Sequence, residues 1–260
     1  MDTNQNTDPD FYIKKIEDDN HREYNVFFVN KDVPLTDEIL QEMAKYEIVE
    51  FCDLFDQPVI NLPSGLKCIT FGNWFKQPIN NLPSGLKSLT FGDWFKQPVD
   101  NLPAELQSLT IGGSFNQSVD NLPSGLISLT FGWFFNQSVD NLPHGLQSLT
   151  FGSEFDQSVD NLPSGLQSLT FGYNFNQPID FLPAGLKSLK FGYDFDLPVE
   201  LGDRMSPTDN LPTGLQNLNF GSNFNQSIDN LPSGLKSLTI SKNYRKPLDN
   251  LPVSVEIIRY

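Results

Sequence analysis

A Leu-Pro dipeptide recurs every twenty residues, at Leu62, Leu82, Leu102, Leu122, Leu142, Leu162 and Leu182, and resumes after an interruption at Leu211, Leu231 and Leu251. One unit, residues 81–100, reads NLPSGLKSLTFGDWFKQPVD. A strict period of this length demands an array of stacked supersecondary units, because one unit is too small to bury its own apolar residues. Within the unit, Ser88 to Phe91 alternates polar and apolar, the signature of a short strand with one buried face. Gly92 ends that strand, and Pro98 and Pro103 forbid a helix on the return. The expected architecture is therefore a mainly β repeat solenoid with one parallel strand per turn and a non-helical return.

Three ladders follow from stacking. Phe55, Phe75 and Phe95, continuing at each turn to Phe195 and Phe224, should form an aromatic spine. Gln57 to Gln177 and then Gln226 should form an amide ladder. Asn61, Asn81, Asn101, Asn121, Asn141 and Asn161 precede Leu-Pro and should satisfy backbone groups at the turn. The frame extends back to Tyr46, Val49 and Phe51 and forward to Val255, Ile258 and Tyr260. That makes eleven strands, a stack on the order of 50 Å long at about 4.8 Å per strand. Residues 46–260 are thus assigned to the solenoid, with nine extra residues, 200–208, interrupting the eighth return.

Residues 1–45 form an acidic N-terminal segment. The first fifty residues hold 13 acidic and 5 basic side chains. Their polarity before Phe27 suggests partial disorder. Near residues 36–45 a helix capped by Thr36 should turn Ile39, Leu40 and Met43 onto the end of the solenoid, as terminal repeats require. The net charge of −15 speaks against nucleic acid and anionic membranes as partners. Cys52 and Cys68 suit neither a disulfide framework nor a zinc site. No signal peptide or membrane-length apolar run is visible, so an intracellular and cytoplasmic location is expected.

The pattern Leu86-x-x-Leu89-x-Phe91, preceded by LPSGL, resembles the leucine-rich repeat. FNQP followed by Ile or Val (Phe175 to Ile179, with variants at Phe115 to Val119 and Phe224 to Ile228) resembles the FNIP repeat of social amoebae and giant viruses. The resemblance implies a leucine-rich-repeat-like scaffold that binds proteins, in host cytoplasm if the protein is viral. The Asn that closes the ordinary leucine-rich-repeat turn is replaced here by Trp94, Ser114 or Asn174, so the Asn after Phe is expected to satisfy the turn. Some FNIP proteins carry an F-box and serve ubiquitin ligases. LTDEILQEM, residues 35–43, resembles the start of an F-box, but the strand at Tyr46 leaves no room for the remaining helices.

Function should sit where the repeat leaves residues free. The outward strand residues form a uniform ladder (Ser88 and Thr90, Ser108 and Thr110, and onward) on the expected concave face. The two positions after the strand's Gly vary freely and hold all three tryptophans. Trp74, Trp94, Trp133, Phe134, Tyr173 and Tyr193 are the candidate partner-binding residues, since aromatics there either anchor an interface or shield the sheet edge. The column Asp100, Asp120, Asp140, Asp160 and Asp180 reads as turn caps, with a cation or basic-partner strip as the rival. The final strand, Val255 to Tyr260, would expose an open edge through which two copies could pair.

His21 and His144 have no Cys or Ser-Asp partners, and no metal cluster or phosphate loop is present. The reading is a non-catalytic protein-protein interaction scaffold without cofactor or metal, able to serve host or substrate recognition for ubiquitin ligases. The rival is an array binder of a repetitive ligand, glycan or ice, through the Ser/Thr ladder, or a purely structural solenoid.

Overall fold

The computed structural model describes residues 9–17, 21–197, 211–253 and 255–260. All the described strands join one sheet whose spatial order is the chain order. It opens with β1 (Phe11–Glu17) and β2 (Glu23–Val29), followed by α1 (Asp37–Met43) and β3 (Ile48–Phe51). The repeat strands follow as β4 (Cys68–Thr70), β5 (Ser88–Thr90), β6 (Ser108–Ile111), β7 (Ser128–Phe131) and β8 (Ser148–Thr150). They continue through β9 (Ser168–Thr170), β10 (Ser188–Lys190), β11 (Asn217–Asn219), β12 (Ser237–Ile240) and β13 (Glu256–Arg259). From β2 onward every pairing is parallel, and each repeat strand meets its neighbour in register, as in Ser88 with Ser108 and Leu89 with Leu109. The expected solenoid of about eleven turns is present, with α1 the sole helix among the described residues.

The inward residues build two parallel columns of rings. Phe55, Phe75, Phe95 and their successors stack at 6.1–6.4 Å through Phe224 to Tyr244. The strand-end residues Phe51, Phe71 and Phe91, and then Phe131 through Phe220, form a second column at 5.1–5.9 Å. Within a turn the two columns touch, with Phe91 and Phe95 centroids 3.8 Å apart. Each buried ring is worth about 1.5–3 kcal/mol, and none can be buried without a neighbouring turn. Tyr244 ends the column; its hydroxyl donates to the Gln226 carbonyl, and burial pushes the phenol pKa up to about 12.

Equivalent atoms of successive turns lie farther apart the farther they are from the axis about which the turns rotate. Strands are about 4.8 Å apart, the strand-end rings somewhat more, and the Phe55–Phe224 spine 6.1–6.4 Å. The turns therefore splay away from the sheet, and the sheet is the concave face. At its margin the glycines Gly72, Gly92, Gly112, Gly132, Gly152, Gly172, Gly192 and Gly221 lie against the preceding turn's backbone. A Cβ at any of them would fall under 3 Å from that backbone. The glycine is there for close approach, not only to end the strand.

Side chains fasten the returns. Where the residue after the spine Phe is Asp or Asn, its side chain accepts from the next turn's backbone: Asn136 Oδ1 takes the Asp156 N–H at 3.0 Å, and Asp156 Oδ1 takes that of Asn176 at 2.9 Å. Asp32 begins this series by accepting from Asp56. This is the group expected to replace the missing leucine-rich-repeat asparagine. The glutamines differ from expectation. Instead of bonding one another, Gln77, Gln157 and Gln226 donate to the preceding turn's Asp56, Asn136 and Asp196. Amide-to-carboxylate contact is available one turn back, so a glutamine ladder is unnecessary.

The Asp column is a turn device. Asn141 donates to Asp120 at 3.0 Å and Asn161 to Asp140 at 3.0 Å, while Ser118 and Ser138 donate to the aspartate of their own turn. The asparagines before Leu-Pro thus bond carboxylates, where backbone groups were expected. Those hydrogen bonds hold Asp120 and Asp229 below the usual carboxylate range, the Asn141 bond leading for Asp120 and the Ser227 bond for Asp229.

At the N-terminal end the structure adds an element that the sequence reading did not contain, while residues 1–8 and 18–20 lie outside the described set. Described residues there form an antiparallel hairpin in which Phe11 stacks on Phe27 at 4.8 Å. Strand β2 then pairs with β3, so the parallel array starts ahead of Tyr46. Helix α1 forms as expected, with Thr36 Oγ1 accepting the Ile39 N–H. Ile39 and Met43 are buried in the common core, with Leu40 partly so. The helix is the return between β2 and β3, while the hairpin extends the sheet edge. Residues 200–208 lie outside the described set, but β10 pairs with β11 in the usual register, Ser188 with Asn217.

Replacing Gly152 by Ala should destabilise the chain by more than about 4 kcal/mol, a backbone collision in a packed stack. Gly234→Ala, whose Cβ would meet only the Thr213 carbonyl at 3.9 Å, should leave thermal unfolding unchanged or raise its midpoint slightly. Equal midpoints for the two variants would refute the close-approach account. The depressed Asp120 and Asp229 pKa values stabilise the fold at pH above the ordinary carboxylate range, and that contribution is lost as pH falls through and below about 4. The melting temperature should fall over that window, and less so in an Asp120→Asn, Asp229→Asn double variant. Superimposable acid limbs would show those hydrogen bonds to be energetically idle.

Candidate partner-binding face

Two residues follow the strand-margin glycine in each turn. Their backbone is fixed by a ladder in which the second N–H donates to the first carbonyl of the preceding turn, as in Trp94 to Asn73 at 2.9 Å and Ser114 to Asp93 at 2.7 Å. The backbone is therefore the same from turn to turn whatever the side chains. At the N-terminal turns the first position carries an Asx series: Asp53 accepts from Asn73, Asn73 from Asp93, and Asp93 from Gly113 at 3.2 Å.

All six candidate aromatics are exposed, between 40% and 57%, so none is used to fill the core. They fall into three groups. Trp74 and Trp94 stack at 5.9 Å, with the Lys76 ammonium over the Trp74 ring. Trp133 and Phe134 meet at a tilt of 57°. Tyr173 and Tyr193 stack at 4.7 Å, and partial desolvation, then Tyr193 and Asp194, raise the Tyr173 phenol.

A groove of about 1180 Å³ runs over the sheet margin from β3 to β7. Its floor is the column Thr70, Thr90, Thr110 and Thr130 with the adjoining glycines, and Trp94, Trp133 and Phe134 stand along its wall. Trp74 and Tyr173 are not among its lining residues. Tyr193 lines a separate groove of about 430 Å³ with Lys190, Asn219, Ser222 and Tyr260. The charged residues of the larger groove, Glu50, Asp53 and Asp93, are all acidic.

Those acids, and the small pair Gly113–Ser114 between aromatic neighbours, had escaped the sequence reading. For Asp53, Asp93 and Gly113–Ser114 the one available signal was their place in the variable columns, where Gly-Ser interrupts a run of bulky residues; Glu50 lies in β3. The Ser/Thr ladder is partly exposed on the concave face as expected. Among the described residues no group of three or more His, Cys, Asp or Glu could hold a metal. No described helix is long and apolar enough to cross a membrane.

No curated protein matches this chain. Among solved structures, CroV588, a circular leucine-rich-repeat protein from a giant virus, aligns over 90% of this chain with 34% identity and a TM-score of 0.75. This chain spans 40% of that structure's length. YopM from Yersinia enterocolitica aligns over 82% of this chain and 55% of its own, at 19% identity and a TM-score of 0.39. The FNIP Repeat family matches residues 55–94, 79–114, 95–134, 115–154, 135–173, 155–194, 175–200 and 207–243. With well over half its length matched and one parallel strand in each twenty-residue turn, this chain belongs to the FNIP repeat family.

Proposed function

We propose that this FNIP solenoid is a protein-interaction scaffold with no chemistry of its own, and that its contact surface is the aromatic-walled groove from β3 to β7. The observation that carries this reading is the exposure of Trp94, Trp133 and Phe134 at positions the fold does not prescribe. Other turns place Gly-Ser, Ser-Glu or Ser-Asn there and keep the same backbone. Large exposed aromatics beside a concave surface offer the area that anchors a partner. Trp74 extends the wall by stacking on Trp94, and Tyr173 and Tyr193 form a second contact toward the C-terminal turns.

A role as a recognition module for ubiquitin ligases would need a docking element other than α1, because Ile39 and Met43 of that helix are packed in the core. The second reading, array recognition of a glycan or ice, is favoured by the register that aligns Ser and Thr at strand spacing along the concave face.

A Trp74→Ser, Trp94→Ser, Trp133→Ser variant should melt close to wild type, since surface changes of this kind stay within about 0.5 kcal/mol. In quantitative proximity labelling from host cells it should lose the proteins that wild type enriches. An unchanged enrichment profile would sink the scaffold reading at this face. Glycan-array or thermal-hysteresis activity that survives the tryptophan changes but is lost in Thr90→Val, Thr110→Val would establish the array reading instead.

A further inference from the structure

We propose that the gap in the aromatic wall at Gly113–Ser114 is a slot for an arginine side chain of a partner polypeptide, an inference that rests on the interaction reading and names the partner's chemistry. The second post-glycine column reads Leu54, Trp74, Trp94, Ser114, Phe134 from one turn to the next. Trp74 and Trp94 stack at 5.9 Å, so bulky neighbours in this column lie side by side at one-turn spacing. Ser114 interrupts them. At twice the 5.9 Å Trp74–Trp94 spacing, rings at Trp94 and Phe134 would stand about 12 Å apart. A planar group held midway would lie about 6 Å from each, within reach of both π faces.

The floor of the gap selects charge. Asp93 Oδ1 accepts the Gly113 N–H at 3.2 Å, which fixes the carboxylate one turn below. A Cβ at Gly113 would come within 3.3 Å of that oxygen and 3.8 Å of the Trp133 Cβ. Glycine thus keeps open the space between the carboxylate and the indole. A carboxylate has lone pairs beyond the one used by Gly113. Among the described residues no cation lines the groove to answer it; Lys14 pairs with Glu50 at the far end. Guanidinium alone among side chains is at once planar, permanently cationic at neutral pH and able to bond a carboxylate through two parallel N–H groups in its own plane while stacking between rings. A lysine would meet the charge without the stack. A tyrosine would stack without meeting the charge. The chain's net charge of −15 favours the approach of a basic segment.

The test titrates the full chain with acetylated hexa-arginine, hexa-lysine and a Ser-Tyr repeat peptide at physiological salt, which screens non-specific attraction. Tryptophan fluorescence reports binding. Hexa-arginine should bind more tightly than either other peptide, and Ser114→Trp, which completes the aromatic column, should weaken it about tenfold. Asp93→Asn should weaken it comparably. Gly113→Tyr, with the residue that Tyr173 supplies at the same column position, repeats the test should Ser114→Trp fold poorly. Hexa-arginine affinity unmoved by filling the gap, or matched by hexa-lysine, would overturn the proposal. Ser-Tyr binding that Ser114→Trp abolishes would also overturn the arginine assignment, yet leave the groove as an interaction face. Failure of the interaction reading itself shows separately, as an enrichment profile indifferent to the three tryptophans.

Discussion

Each turn of this chain is a wedge, narrow at the sheet and wide at the phenylalanine spine, and the rest of the molecule follows from that shape. At the sheet margin, glycines from Gly72 to Gly221 let backbone lie against backbone closer than any Cβ permits. On the opposite side, spine rings hold successive turns 6.1–6.4 Å apart. Hydrogen bonding fixes the strands at about 4.8 Å, so the difference appears as rotation of one turn upon the next. Curvature is therefore set by two residue types, one that permits approach and one that resists it. The glycine of the LPSGL turn is not bound by the same rule, which is why Glu105 can stand in that column.

Stacking also explains why so many polar side chains of the repeat bond a neighbouring turn. A return path without helix or strand has backbone groups that need partners, and the nearest invariant partner is the equivalent residue twenty positions away. Asn136 serves both the Asp156 backbone and the Gln157 amide. Asp120 serves Asn141 and Ser118. The Asp column, which in isolation resembles a strip for cations, is instead interleaved with amide donors from neighbouring turns. Interleaving separates like charges, and the hydrogen bonds leave Asp120 and Asp229 below the usual carboxylate range.

What was legible in the sequence was whatever the period repeats. The strand at Ser88 to Phe91, the Phe spine and the Thr36 cap could be placed because each is a local pattern or an echo of one. The N-terminal hairpin escaped because it occurs once. Its pairing of Phe11 with Phe27 and Tyr12 with Phe28 joins residues sixteen apart, outside the twenty-residue frame, and its surrounding charge read as disorder. The glutamine ladder was misassigned for a different reason. A recurring residue announces that it bonds to the next turn, but not which of that turn's groups it meets. The candidate aromatics were found by the opposite signal, departure from the repeat, and Gly113–Ser114 was passed over because smallness in a variable column looks like neutrality.

A solenoid whose turns are interchangeable has little way to encode a site except through such departures. The core, the glycine margin and the Asx series each tolerate few residues, because a change in one turn is felt by two neighbours. The two post-glycine positions are freer: main-chain bonds recur there from turn to turn, and the Asx side chains that add to them stop at Gly113, so varied side chains can be displayed. Neighbouring turns then place side chains at known intervals, and a surface can be composed by choosing which turns carry rings and which do not. Two aromatic pairs that stack upon themselves, Trp74 with Trp94 and Tyr173 with Tyr193, present continuous faces. Trp94 and Phe134 are separated in their column by one small residue, Ser114, beside the carboxylate that bonds the Gly113 N–H. In an array of this kind, the absence of a side chain between two large ones carries as much chemical information as their presence.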